Sequence, residues 1–329
     1  MHTRRLGSDG PAISALGLGC MGFSGGYGPV DDAESIATIH AALDAGITYL
    51  DTGDFYGAGQ NEMLLREALK GKRDKAFIGV KFGALRGPDL QWYGSDCRPA
   101  AVKNFLAYTL RRLGTDHVDL YQPARVDPAV PIEDTVGAIA EMVKAGFVRH
   151  IGLSEASAAT VRRAHATHPI AALQIEYSLM SRNVEKAILP ALRELGISLV
   201  AYGVLSRGLI SDRTRAGVQP PGEIRGRMPR FQGENFTKNL ALVEALKTIA
   251  TEKGCSTAQL AIAWVAARGN DVIPLIGAKR RDQLGDAIGA LDVTLSPADL
   301  ARIESAMPAD AVAGDRYGAA LMTHLDSEH

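Results

Sequence analysis

The chain reads as an α/β protein whose strands close into a (β/α)₈ TIM barrel. Three observations carry that expectation: eight short β-rich runs recur, each is followed by a longer amphipathic segment, and the alternation persists over most of the 329 residues. Strands that alternate with helices imply a parallel sheet. Eight such units fit a closed barrel of roughly 250 residues plus insertions better than an open doubly wound sheet.

The predicted strands are residues 14–19, 47–52, 76–82, 118–122, 148–154, 171–177, 197–203 and 272–277. Helical patterns lie between them, bounded by the expected punctuation. "DDAESIATIHAALDAG" starts on acids and stops at Gly46, "NEMLLREALK" ends before Gly71, and "PAAVKNFLAYTLRRLG" opens on Pro99 and closes on Gly114. "PIEDTVGAIAEMVKAG", "KAILPALRELG", "TKNLALVEALKTIATEKG" and "TAQLAIAWVAARG" repeat the plan. The opening "RRLGSDGPAIS" predicts a small hairpin around Asp9 and Gly10 that closes the barrel floor. A single domain over 1–329 is expected, with its barrel core at about 14–307. Two stretches break the repeat. Residues 205–237 form a long Pro/Gly/Arg-rich loop after the seventh strand, and loops of that length are functional lids or disordered segments. The tail, 308–329, reads as a flap or a frayed end.

Composition narrows the function. With 36 basic and 37 acidic side chains the formal net charge is -1, so there is no basic excess for nucleic acid. Cys20, Cys97 and Cys255 stand far apart and cannot all pair, which argues for a reducing compartment. No apolar stretch approaches the ~20 residues that span a bilayer, and "MHTRRLGSDG" has no secretory pattern, so a cytoplasmic location without membrane attachment is expected. "GLGCMG" (17–22) spells a dinucleotide fingerprint, but "FSGGYGP" follows it and cannot open the helix that the fingerprint needs. These glycines are read instead as the first loop at the barrel mouth. His165 and His168 have no accompanying acids or cysteines, so no metal site is expected.

In a barrel of this kind chemistry sits where the strands end. The second strand ends in Asp51 and leads through Asp54 to Tyr56, inside "DTGDFYG". The third ends in Lys81, the fifth in Ser154 and Glu155, and the seventh in Tyr202, while the sixth carries Gln174 and Tyr177. A lysine at the end of an apolar strand needs a partner, because a buried unpaired charge is expensive. Asp51 on the neighbouring strand can supply it. A free phenol has a pKa of ~10, and a nearby ammonium favours its phenolate, so Lys81 is expected to bring Tyr56 toward the working range of a proton donor. The same spacing also fits a buried Asp51–Lys81 pair capped by an aromatic Tyr56.

"DTGDFYGAGQNE" followed by "VKFG" resembles the aldo-keto reductases, whose pattern is Asp-Thr-(Ala/Gly)-x-x-Tyr-Gly and then a strand-three lysine. The similarity continues in order through "IEDTVGAIAEMVKAGFVRHIGLSE", "LQIEYSL", "VAYGVLSRG" and "PLIGAKRRDQL", and is closest to bacterial and fungal aldehyde- and pyridoxal-type reductases. The resemblance implies an NADP-dependent enzyme that reduces an aldehyde or ketone, with Tyr56 as proton donor, Lys81 as its activator and Asp51 as holder of the lysine. It further implies that Ser154, Gln174 and Tyr202 hold the nicotinamide, and that Leu205, Ser206, Arg207 and Gly208 wrap the pyrophosphate. Gly277, Lys279, Arg280 and Gln283 would meet the adenosine end. Lys279 and Arg280 suit a ribose 2′-phosphate, hence NADPH as cofactor. A small carbonyl compound is the expected partner, and an assembly of identical chains is compatible with the sequence.

The pattern breaks at three places. Where the family has a histidine before "RxDP", this chain has Ala124, which cannot donate to a carbonyl oxygen. Gln122 or a water can substitute, activity can be confined to electrophilic carbonyls, or the chain can be an NADP(H)-binding sensor with weak residual reduction. Glu155 stands where asparagine is expected at the carboxamide, and Asp286-Ala287 replace a Glu-Asn pair toward the adenine. Substrate choice is assigned to the loops 23–29, 84–98 and 211–237, with Tyr27, Phe55, Trp92 and Tyr93 as aromatic lining.

Overall fold

The computed structural model describes residues 1–89, 91–212 and 224–328, so the middle of the loop after the seventh strand lies outside the described residues. A hairpin of β1 (Thr3–Arg5) and β2 (Ala12–Ser14) opens the chain. Eight parallel strands follow: β3 (Gly17–Gly19), β4 (Tyr49–Gly53), β5 (Phe77–Phe82), β8 (Val118–Pro123), β9 (Val148–Ser154), β10 (Ile170–Glu176), β11 (Ser198–Tyr202) and β12 (Val272–Gly277). They close in the order β10-β11-β12-β3-β4-β5-β8-β9. A second hairpin, β6 (Ala84–Arg86) and β7 (Trp92–Ser95), rises from the end of β5. The predicted first strand is shortened because Ser14 belongs to the floor hairpin.

The helices are α1 (Asp32–Asp44), α2 (Gln60–Ala68), α3 (Pro99–Leu113), α4 (Ile132–Lys144), α5 (Ala158–Thr167) and α6 (Ile188–Leu195), then α7 (Gly233–Glu252), α8 (Thr257–Ala266), α9 (Arg281–Gly289), α10 (Pro297–Ala306) and the short α11 (Ala319–Met322). Their limits follow the sequence signals. The Asp31 carboxylate caps α1 by accepting from the Ala33 N–H at 2.8 Å, and Pro99 occupies the first turn of α3. Gly114 and Gly196 end α3 and α6 in the left-handed conformation, where glycine carries no steric penalty. None of the described helices is long and apolar enough to cross a membrane.

The barrel interior is layered. Tyr49, Phe77, Leu120, Ala172, Val200, Ile273 and Leu275 fill its lower part, and Leu6 and Ile13 of the hairpin close the floor. The Tyr49 ring dictates two of its neighbours: a Cβ on Gly17 would lie 2.7 Å from it and one on Gly79 2.8 Å from it. Side chains two positions further along a strand return to the same face. Asp51 therefore stands one layer above Tyr49, Lys81 above Gly79, Gln122 above Leu120, Gln174 above Ala172 and Tyr202 above Val200. An apolar floor under a polar upper layer is the frame that positions the site.

Candidate active site

Lys81 and Asp51 are both buried, and the ammonium meets Asp51 Oδ2 at 2.5 Å. The other carboxylate oxygen of Asp51 accepts from Gln174 Nε2 at 2.7 Å. Burial pulls the Lys81 pKa down, and Asp51 opposes it. Tyr56 begins the turn after β4, where Gly57, Ala58 and Gly59 successively take left-handed backbone. This tight reversal returns the phenol over the strand ends, and the Lys81 Nζ lies 5.1 Å from its ring centroid. Asp51, Tyr56, Lys81 and Gln174 are thus brought together.

One electrostatic expectation is corrected. The Tyr56 pKa stands well above the usual phenol value, first because the ring is buried and then because of Asp51 and Tyr27. Arg125, not Lys81, is the cation that opposes this rise. Burial, which penalises the charged phenolate, is the first reason, and the Asp51 carboxylate adds to it.

The two acids of "DTGDFYG" have different tasks. Asp54 turns away to Glu62 and Arg112, where burial, then Glu62, pushes its carboxyl up to about 7 while Arg112 opposes. Its Oδ2 has no hydrogen-bond partner. Glu62 in turn pairs with Arg112. Thr52 donates to Asn61 Oδ1 at 2.7 Å, and Asn61 donates to the Cys20 carbonyl, which ties this segment to the first loop. Tyr177, also expected near the strand ends, points outward, donates to Glu185 at 2.6 Å and packs on Trp264.

Ala124 is buried, and its N–H donates to the Phe82 carbonyl at 2.8 Å. The Gln122 amide, a suggested substitute for a histidine there, is buried without hydrogen-bond partners. Its Oε1 stands 2.8 Å from where a Gly152 Cβ would be, one layer below Ser154. The cation beside Ala124 is Arg125, whose Nη1 donates to the Ala124 carbonyl at 2.6 Å.

Glu155 carries the largest surprise. Its backbone is left-handed, with φ 55, and its carboxylate accepts from Arg316 Nη1 at 2.8 Å and Nη2 at 2.5 Å, from Ser327 Oγ at 2.6 Å and from the Tyr202 hydroxyl at 2.7 Å. Burial pushes its pKa up, but Arg316, then Arg125 and Ser327, override that and hold it at about 2. The carboxylate is therefore the anchor of the C-terminal segment rather than a spare amide contact. Further ties fix that segment: Ser327 N–H to the Glu155 carbonyl, Asp326 accepting from the Ser157 N–H at 2.7 Å, and two bonds between Asn239 and Ala313 at 2.9 Å. Tyr317 reaches the Tyr202 hydroxyl at 2.9 Å and faces the Arg207 guanidinium at 4.5 Å. The tail is a wall of the site, not a frayed end. The sequence held one clue to this: an acid at a strand end demands a cation, and "GDRYG" offered one.

Glu176 is a second buried acid, paired with Arg207 at 3.0 Å and Arg230 at 3.3 Å. Arg207 follows Ser206, and both are left-handed, as is Gly208. Leu205 precedes that run. On the adjacent rim Gly277 ends β12, Lys279 Nζ donates to the Tyr27 carbonyl at 2.5 Å, and the Lys279 N–H donates to Gln283 Oε1 at 2.9 Å. A cavity of about 680 Å³ opens there, lined by Pro29, Asp31, Lys279, Arg280 and Arg281 at the start of α9. Glu34 and Asp282 line it too, and they pair with Arg281 and Arg280 at 3.0 Å each, so the helix N-terminus with Lys279 is the part of this end that could meet a phosphate. Asp286 instead accepts from Ser256 at 2.9 Å and serves helix packing. Of the aromatic residues assigned to substrate lining, Phe55 packs edge-on against Tyr56, while Tyr93 is exposed.

The structure is thus a closed eight-stranded parallel barrel with a buried Asp–Lys pair beneath a tyrosine at its mouth. Residues 15–308 match the Aldo/keto reductase family, and the chain belongs to that family. It is 45% identical over 317 residues to Probable aldo-keto reductase 1 of Glycine max, across 95% of this chain and 91% of that one. Its structure is similar to the glycerol dehydrogenase AKR11B4 from Gluconobacter oxydans (TM-score 0.84, 29% identity, 93% of this chain and 96% of that one). It is also similar to the holo form of aldo-keto reductase AKR11C1 from Bacillus halodurans (TM-score 0.79, 28% identity, 94% and 97%). Members of the family are NAD(P)H-dependent carbonyl oxidoreductases acting on small carbonyl compounds.

Two outcomes follow from these electrostatics. Because burial pushes the Asp54 carboxyl up to about 7 in the folded chain, against about 3.9 for an unperturbed aspartate, its stability contribution is complete at low pH and lost as pH rises to 7. The melting temperature of Asp54→Asn relative to wild type is therefore more favourable at pH 8 than at pH 5; a difference independent of pH contradicts this. Glu155→Gln leaves Arg316 buried without its carboxylate and costs about 3–5 kcal/mol. Urea unfolding should show that loss, with protease cleavage appearing beyond residue 308; unchanged cleavage means that the tail is held by its other contacts.

Proposed function

We propose that the protein is an NADPH-dependent reductase of aldehydes or ketones in which Tyr56 gives the proton. The observation that carries this is the Lys81–Asp51 pair at 2.5 Å, buried directly beneath the Tyr56 ring. When bound, the reduced nicotinamide supplies the hydride. Everything else in the mechanism is positioning and charge. A phenol with a raised pKa keeps its proton throughout the neutral range, so it can act only on an oxygen made strongly basic as the carbonyl is reduced. Lys81, whose charge is already costly to bury, gains a second anion to balance once the phenolate forms. Asp51 keeps the amine from swinging away, and Gln174 fixes Asp51.

Ser154, Gln174 and Tyr202 are proposed to receive the nicotinamide, the Leu205–Gly208 turn the pyrophosphate, and Gly277, Lys279, Arg280 and Gln283 the adenosine end. Lys279 and Arg280 at the start of α9 support NADPH over NADH, provided that Arg280 exchanges Asp282 for the ribose 2′-phosphate. Ala124 leaves the carbonyl oxygen without an imidazole donor at that position, and losing one such donor typically costs about 10²–10³ in rate. The reading therefore favours carbonyls that are already electrophilic.

Tyr56→Phe should lower NADPH oxidation with 4-nitrobenzaldehyde by at least about 10² while leaving NADPH binding intact. Equal, negligible rates in both proteins would instead favour a nucleotide-binding module. Lys279→Ala should weaken NADPH binding by roughly tenfold or more and NADH binding much less, as expected for one lost charge-assisted phosphate contact; equal losses would remove the case for NADPH.

A further inference from the structure

We propose that the substrate of this site carries a carboxylate, and that Arg125 with Arg86 receives it. The proposal rests on the reductase reading above and adds the chemical class of the carbonyl compound.

The arginines at the mouth differ in their direct partners. Arg207, Arg230 and Arg316 each have a carboxylate partner, Glu176 or Glu155. Glu155 is saturated by Arg316, Ser327 and Tyr202, and Glu176 by two arginines and Ser181. Arg125 has no such partner: among the described residues no carboxylate lies within salt-bridge distance of it. Its guanidinium is partly buried, donates one N–H to the Ala124 carbonyl at 2.6 Å and faces the Tyr317 ring at 6.0 Å. A guanidinium has five N–H donors in a planar fork suited to a carboxylate, and this one spends only one on the protein.

A second cation stands nearby. Arg86 is stacked between Phe55 and Trp92, 5.7 Å from each ring centroid, and Phe55 in turn meets the Tyr56 ring edge-on at 4.8 Å. Arg86 and Arg125 lie within each other's field, since Arg125 helps to depress the Arg86 pKa after burial. Two cations beside one phenol suit the binding of an anion there.

Strand order separates the two arginines from the loops expected to hold the cofactor's phosphates, and the Tyr317 ring, which Arg125 faces at 6.0 Å and Arg207 at 4.5 Å, stands between the two sides. In the closed strand order, β5 and β8, which lead to Arg86 and Arg125, stand opposite β11 and β12, which lead to Arg207 and Lys279. Both arginines act on the Tyr56 phenol, so the non-reacting end of a substrate held at that phenol would meet them. Arg125 is thereby a specificity-determining residue.

The test compares 4-carboxybenzaldehyde with its methyl ester, methyl 4-formylbenzoate, in wild type, Arg125→Leu and Arg125→Lys. In wild type the acid should have the higher kcat/KM. Arg125→Leu should lower the acid-to-ester ratio roughly 10- to 100-fold, through KM, as loss of one charge-assisted contact implies, and Arg125→Lys should restore part of it. An unchanged ratio overturns the proposal, as does a wild type that favours the ester. A higher kcat/KM for 4-formylphenyl phosphate than for the carboxylate makes the anion a phosphate and also overturns it. NADPH affinity must fall less in Arg125→Leu than in Arg207→Leu; an equal fall reassigns Arg125 to the pyrophosphate. If wild type reduces neither aldehyde, the reductase reading fails. Calorimetry with benzoate then decides the anion site alone: binding that Arg125→Leu abolishes supports it, and no binding to wild type overturns it.

Discussion

A lysine ammonium placed inside the upper layer of a barrel has to be neutralised where it stands. Here Asp51 does so at 2.5 Å, and its second oxygen is held by Gln174. Three strands, β4, β5 and β10, are thereby linked by side chains across the interior. Removing either charge would leave the other buried and unpaired, which is far more costly than the pair itself is stabilising. The apolar layer below gives the pair a rigid floor, because Tyr49 fits only where Gly17 and Gly79 leave room. The position of Tyr56 over this pair depends on all of it.

A second set of buried charges governs the rim. Glu155 and Glu176 bring together Arg207, Arg230 and Arg316, which come from the loop after β11, the segment before α7 and the C-terminal segment. Segments that are remote along the chain become one wall through two carboxylates. Glu155 adopts a left-handed backbone to do this, a conformation that costs a non-glycine residue of order 1 kcal/mol or more and persists only where the surroundings over-determine it. Its five hydrogen bonds, to Arg316, Ser327, Tyr202 and the Glu176 N–H, supply that determination.

Much of this was legible in advance, and for identifiable reasons. Strand-helix alternation and glycine stops are local signals, so the eight strands and most helices stand where the sequence puts them. Asp51 and Lys81 were paired in advance because a charge at the end of an apolar strand demands a neighbour. The shift of the Tyr56 phenol was not legible, since its sign is set first by burial and then by Asp51 and Tyr27. Nor was the separation of Asp54 from Asp51: three residues apart in sequence, they face different clusters because the chain turns between them. The role of Glu155 escaped because its partner lies 161 residues away.

The sequence by itself determined the barrel, its floor hairpin, and the presence of an acid, a phenol and a lysine at adjacent strand ends, because periodicity and turn chemistry act over a few residues. Only the tertiary structure decided which arginines Glu155 and Glu176 neutralise, that Asp54 parts from Asp51, and that the C-terminal segment walls the site. Those outcomes rest on charge compensation in a low-dielectric interior, which depends on distance in space and not on distance along the chain.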